Sequence, residues 1–138
     1  MAQARGTFAV VAAPEIRDAR PVLLVSDIAA TLSYYGTKLG FGTRAFGDPP
    51  HFASAKRGGA TVLFALHDDP VQIVPNWRLQ PQTWNVYIEV AGIDALYEEL
   101  KERGAEIDYS LYDAPHGFRE FGVQDPDGYD IAFGQPLP

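Results

Sequence analysis

The stretch PVLLVSDIAATLSYYGTKLGFG, Pro21 to Gly42, decides the fold. Its opening, Pro21 to Asp27, is dense in valine and leucine and reads as a buried strand. Asp27 is a helix N-cap, because its carboxylate can accept hydrogen bonds from the orphan N–H groups of the next turn. Ile28, Leu32, Tyr35 and Leu39 then recur at spacings of four, three and four, which is one face of a helix. Gly40 closes that helix as a left-handed cap. Tyr35 falls on the apolar stripe and belongs to the core, whereas the adjacent Tyr34 cannot share its face.

Three strands are expected next, at Thr43 to Phe46, His51 to Lys56 and Ala60 to Leu66, with Gly58-Gly59 forming the hairpin between the last two. Residues 67–82 hold Pro70, Pro75 and Pro81 and read as a linker or a loop over a site. The same order then returns. Trp84 to Val90 is a strand; Ile93, Tyr97 and Leu100 mark a helix capped by Gly104. Ile107 to Leu111, Phe118 to Gln124 and Tyr129 to Phe133 are strands, the last two joined by the DPDG turn of Asp125 to Gly128. Ile28, Leu32 and Tyr35 map onto Ile93, Tyr97 and Leu100 at a common offset of 65, and Gly58-Gly59 onto Asp127-Gly128 at 69.

The expected fold is therefore α+β, with two βαβββ modules in one domain: residues 19–66 and 83–138, joined by the linker 67–82 and preceded by an N-terminal arm, 1–18. Packed side by side, the modules place helices on the outer face of a curved mixed sheet whose inner face is a concave pocket. Phe8 to Ala13 reads as a short extra strand or ordered arm, too short for a signal-peptide core.

The net charge of −7 repels phosphate backbones and argues against nucleic acid, while favouring cationic ligands. The absence of cysteine excludes disulfides, thiolate metal sites and a cysteine nucleophile, and suits the cytoplasm. No apolar run approaches the roughly 20 residues of a membrane span. Nucleophile-elbow, phosphate-loop and dinucleotide-binding motifs are missing.

Strand alternation sorts the side chains. Val86, Ile88 and Val90 are wholly apolar and should pack under the helices, leaving Asn85, Tyr87 and Glu89 on the other side. Ile131 and Phe133 likewise face the helices, so that Asp130 and Ala132 face inward; in the first strand Arg20, Val22 and Leu24 form one of the two sets. Arg20, Asn85, Tyr87 and Asp130 among apolar neighbours make the usual lining of an organic-ligand pocket.

The opening stretch, the doubled βαβββ order and FREFGVQDPDGYDIAFGQP, Phe118 to Pro136, together resemble the vicinal-oxygen-chelate superfamily of glyoxalase I, extradiol dioxygenases and bleomycin-resistance proteins. The resemblance runs from about Ala19 to Pro136. It implies a divalent metal held by His and Glu from four strands, at positions that here are Arg20, Leu63, Asn85 and Ala132. Arginine carries a permanent positive charge, and leucine and alanine have no donor atom. What then remains is the bleomycin-resistance-like branch, which implies a small-molecule ligand, no cofactor, and a homodimer with clefts at or near the subunit interface.

Other residues carry weaker signals. Trp77 either stacks on a planar ligand or staples the linker to the core, and Trp84 reads as core. His51, His67 and His116 lack a recognised metal spacing, but the resemblance puts His116 beside the cleft. Arg119 either anchors a carboxylate or pairs with Glu120 or Asp130. Asp125 and Asp127 read as turn-formers. Val22, Leu63 and Ala132 complete the candidate ligand-binding set with Arg20, Trp77, Asn85, Tyr87, His116, Arg119 and Asp130. Three functions fit these residues: sequestration of a small, aromatic or cationic molecule; metal-dependent catalysis through atypical ligands such as His51, His116, Glu120 or Asp130; and docking of a protein segment.

Overall fold

The structure, a computed structural model, describes residues 13–138. The strand expected over Phe8 to Ala13 lies, except for Ala13, outside the described residues; residues 13–20 have no regular structure and are exposed. The first module comprises β1 (Val22–Val25), α1 (Ile28–Ser33), β2 (Gly42–Gly47), β3 (Pro50–Arg57) and β4 (Ala60–Leu66). The linker carries a 3₁₀ turn, Pro70–Gln72, and a one-turn helix, α2 (Asn76–Leu79). The second module comprises β5 (Val86–Glu89), α3 (Ile93–Glu102), β6 (Ile107–Asp113), β7 (Phe118–Gln124) and β8 (Asp130–Pro136).

The modules repeat one topology. Sheet order is β1-β4-β3-β2 in the first and β5-β8-β7-β6 in the second. In each, the opening strand runs parallel to the last, and the other pairs are antiparallel. The two expected βαβββ modules are present, each a four-stranded mixed sheet whose ladder hydrogen bonds stay within the module. β1 and β5 are edge strands, and side chains join the modules instead.

Local chemistry explains the helices. The Asp27 carboxylate accepts from Ala30 N at 3.0 Å, and Gly40 and Gly104 take φ of +76° and +84° at the helix ends. The first helix is not one continuous α-helix: Tyr34–Lys38 form a π turn. The wider turn lets both tyrosines pack inward, contrary to the expectation for adjacent residues. Tyr35 is fully buried, and Tyr34 packs against the same core while its hydroxyl accepts from Glu106 N at 3.0 Å.

The alternation read from the strands holds. Leu23, Val25, Val62 and Phe64 are buried on the helix side of the first sheet; Val86, Phe121, Val123, Ile131 and Phe133 are buried on that of the second. With Ile28, Leu39, Ile93 and Leu100 they form one core, each large side chain contributing about 1.5–3 kcal/mol of burial. No helix among the described residues is long and apolar enough to cross a membrane.

The DPDG aspartates do more than shape a turn. Asp125 Oδ1 accepts from the backbone N–H groups of Asp127 and Tyr129, both at 3.0 Å, and its Oδ2 accepts from the Tyr35 hydroxyl of the first module at 2.8 Å. The Asp127 carboxylate accepts from Ser26 Oγ at 2.6 Å and from Ser26 N, and Tyr129 donates to Leu24 O at 2.6 Å. On the other side of the joint Arg57 forks onto Glu99 at 2.9 and 2.8 Å and also donates to Leu39 O.

Burial pushes the Asp125 carboxyl up from its ordinary 3.8 to about 6, against the pull of its hydrogen bonds from Tyr35 and Tyr129. Between these values the folded chain holds more protons than the unfolded one. The contribution of Asp125 to stability is therefore fully present below the lower value and falls as pH rises through about 6, by on the order of 3 kcal/mol. Urea denaturation at a series of pH values should show the wild type losing stability relative to Asp125→Asn across that window; a gap independent of pH is the contrary result.

Candidate functional site

A cleft of about 820 Å³ opens on the inner face of the second sheet. The linker contributes Trp77, the approach to β5 contributes Trp84, and β6, β7, β8 and the β6–β7 loop contribute Tyr109, Glu120, Asp130 and His116. Its floor is set by alternation in β7. Phe121 and Val123 go to the core, which leaves Glu120, Gly122 and Gln124 on the inner side.

Glu120 is only 1% exposed and is surrounded by donors. Tyr87 donates to its Oε1 at 3.0 Å and Tyr109 to its Oε2 at 2.8 Å; His116 Nε2 lies 2.8 Å from Oε1. Trp84 Nε1 in turn donates to the Tyr109 hydroxyl at 2.8 Å. Such a buried carboxylate is tolerable only when its lone pairs are met in this way. Burial, and next the hydrogen bonds to Glu120, hold the Tyr87 and Tyr109 phenols well above their ordinary range, so both remain donors.

Two glycines make room for these rings. A Cβ on Gly134 would overlap the Tyr87 hydroxyl, and one on Gly122 would overlap the Tyr109 ring. The tyrosines therefore lie directly on the strand backbone. The ring of His116 packs at 5.6 Å from Phe118 and 6.1 Å from Trp84, centroid to centroid.

The linker is fixed over one end of the cleft. Trp77 Nε1 donates to Gly128 O at 2.6 Å, Asn76 N donates to Asn85 Oδ1 at 2.9 Å, and Asn76 Nδ2 donates to Trp84 O at 3.0 Å. Trp77 thus both fastens the linker and presents its ring to the cleft. Trp84, read as core, is only half-buried and forms a wall. Below it Asp130, 5% exposed, lines the cleft with its Oδ1 unpartnered. Burial, then the hydrogen bond and charge of Asp108, raises the Asp130 carboxyl to about 7.

Trp77, His116 and Asp130 thus come together at the cleft, with Tyr87 beside them on Glu120. Ala132 is fully buried in the sheet floor, opposite Tyr87, and Asn85 spends its oxygen on the linker. Arg20, Val22 and Leu63 belong to the first module and do not line this cleft. Arg20 is exposed, 3.5 Å from Asp18. Arg119 pairs with neither Glu120 nor Asp130, because alternation turns it to the opposite face; it binds Asp113 at 2.8 Å and Asp94 at 3.1 Å.

Glu120, Trp84, Tyr109 and Asp108 had no part in the ligand-binding set read from the sequence. One signal was present: in FREFG, a carboxylate sits between two phenylalanines with a glycine two residues on, which is how a strand brings a charge to a crowded inner face.

The positions that would hold a superfamily metal do not fit one. Leu63 and Ala132 have no donor, Arg20 is a cation, and the Asn85 oxygen already accepts from the linker. Among the described residues no three His, Asp or Glu side chains are grouped for a metal; His51 sits on β3 of the first module, away from His116, Glu120 and Asp130.

A model of the Glyoxalase/Bleomycin resistance protein/Dioxygenase superfamily matches residues 18–133. The chain belongs to this superfamily. The glyoxalase/bleomycin-resistance fold is shared with a bleomycin-binding protein from bleomycin-producing Streptomyces verticillus, solved with copper(II)-bleomycin: 25% identity, TM-score 0.66, over 91% of this chain and 99% of that one. A bleomycin-binding protein solved with bleomycin shows 20% identity and a TM-score of 0.68, over 87% and 98%. A glyoxalase-related enzyme from Clostridium phytofermentans superposes with a TM-score of 0.72 at 18% identity, over 90% and 98%. No curated protein matches the chain.

Tyr109→Phe removes the donor to Glu120 Oε2 inside a buried site and should cost about 1–3 kcal/mol. Gly134→Ala forces the Tyr87 ring off its seat and should cost about 1–3 kcal/mol by overpacking. Urea midpoints check both; stability unchanged in either variant contradicts the packing described.

Proposed function

We propose that this superfamily member binds a small organic molecule in the second-sheet cleft and sequesters it without metal chemistry. The observation that carries the reading is the cleft itself: about 820 Å³, walled by Trp77, Trp84 and Tyr109, with polar groups at its floor. Volume and lining are those of an organic-ligand site. Flat rings on two sides favour an aromatic guest, and the carboxylates favour a cationic one. The kinship with bleomycin-binding proteins supports the same direction, and the cysteine-free sequence suits action in the cytoplasm. Holding a toxic aromatic cation would protect a cell from it.

We further propose a homodimer. The inner face of the first sheet leaves Val22, Leu24 and Phe46 exposed. A second copy lying on that face would cover apolar surface that a monomer leaves to water. Leu24→Glu should then shift sedimentation equilibrium from dimer to monomer; a wild-type protein that sediments as a monomer at micromolar concentration ends this part of the proposal.

Titration with a panel of aromatic cations that includes metal-free bleomycin tests the main reading through tryptophan fluorescence. A true ligand should quench saturably and raise the melting temperature by mass action. Trp84→Ala should weaken it roughly three- to tenfold, the worth of one aromatic contact. Ligand recovered chemically altered, or binding abolished by a chelator, contradicts sequestration without metal.

A further inference from the structure

One corner of the cleft has an unmet chemical need. Asp130, at the start of β8, is 95% buried by its 5% exposure, and its Oδ1 is buried without a hydrogen-bond partner. Beside it lies the carboxylate of Asp108 from β6, which Gln124 Nε2 holds at 3.3 Å through Oδ1. Gln124 is itself the register partner of Asp130 across β7 and β8. All three residues line the cleft, with the rings of Trp77 and Trp84 on its walls.

The corner differs from the Glu120 end. Glu120 is met by Tyr87, Tyr109 and His116, and its negative charge has its donors within the protein. Asp130 Oδ1 has none, the rest of the carboxyl meeting only Asp108 and Gln124, and neither lysine nor arginine is among the described residues that line the cleft. A buried carboxylate ordinarily has a donor or a countercharge. Two carboxylates side by side either hold a proton between them or draw in a cation that takes its place. A hard divalent cation would want six or more oxygens, and the corner provides two carboxylates. An organic cation asks for less: one or two N–H donors toward the carboxylates, with its apolar body on the aromatic walls.

We propose that the Asp108–Asp130 corner is a cation subsite, which takes an ammonium or amidinium group of the ligand while the ligand's rings lie against Trp77 and Trp84. This rests on the small-molecule reading of the cleft and names the class of ligand: an aromatic amine or amidine in its cationic form. The crowding that raises the Asp130 carboxyl to about 7 is the same crowding that an entering cation relieves. The Glu120 end, about four residues away along β7 and so roughly 13 Å off, is left to neutral polar groups of the ligand.

Benzamidine and its neutral isostere benzamide separate the possibilities. Titrated against the full chain with tryptophan fluorescence as the readout, benzamidine should bind about tenfold tighter than benzamide or better, as expected for a charge-assisted hydrogen bond. Asp130→Asn should bring benzamidine down to the level of benzamide and leave benzamide unchanged. Asp108→Asn, at an exposed residue, gives the same test if Asp130→Asn does not fold. Equal binding of the two compounds, or benzamidine affinity indifferent to either variant, overturns the subsite and leaves the cleft as a neutral pocket. Displacement of benzamidine by millimolar calcium at unchanged ionic strength also overturns it, assigning the corner to a metal. Failure of both compounds to perturb either tryptophan counts against the subsite and against the small-molecule reading together.

Discussion

A carboxylate sealed from water has to find its hydrogen-bond donors inside the protein, and the second module is arranged around that demand at Glu120. Two phenols and an imidazole converge on it, and an indole stands behind one of the phenols. Each donor comes from a different place: β5, β6 and the loop before β7. The rings reach it only because Gly122 and Gly134 offer bare backbone beneath them. Packing, polarity and the shape of the cleft floor thus share one cause. Removing any donor leaves a buried charge short of partners, which is a larger penalty than the loss of an ordinary surface hydrogen bond.

The two modules have one topology and different chemistry. By strand register, the place of Tyr87 in the second sheet is taken by Val22 in the first, that of Glu120 by Phe52, that of Gly134 by Ala65 and that of Asp130 by Thr61. At these places the first copy carries neutral, mostly apolar side chains, while the second carries the polar floor and the carboxylate corner. A duplicated scaffold has put its buried carboxylates and their donors around the cleft in one half. The halves are locked by the DPDG turn, whose two aspartates accept from Tyr35 and Ser26 of the first module. A turn motif serves here as a joint, because a buried aspartate that has satisfied its own turn still has an oxygen to offer.

Much of the fold was legible in particular residues. Asp27, Gly40 and Gly104 mark helix ends through local hydrogen bonding and backbone freedom, and all three act where their neighbours in sequence place them. Val86 and Ile131 announced the helix-facing side of β5 and β8, since a strand alternates whatever surrounds it. The π turn at Tyr34–Lys38 was not legible, because the partners of its two tyrosine hydroxyls, Glu106 and Asp125, lie far along the chain in the second module. The site was legible in part. Tyr87 and Asp130 followed from alternation, but Trp84 looked like core, and Arg119 was given partners that face the other way.

By itself, the order of residues determined the doubled βαβββ pattern, the faces of most strands and the lack of metal donors at Leu63 and Ala132. Those properties are local or periodic, so a few neighbouring residues suffice to set them. Only the tertiary structure decided that Tyr87, Tyr109 and His116 would meet on Glu120, that Asp130 would lie beside Asp108, and that Arg20 would stand apart from both. The partners of Glu120 lie 33 residues away at Tyr87 and 11 at Tyr109, and nothing in the chain between them sets that distance in space. Side-chain convergence of this kind depends on strand register and on which glycines leave the backbone open, and both exist only after the sheet has formed.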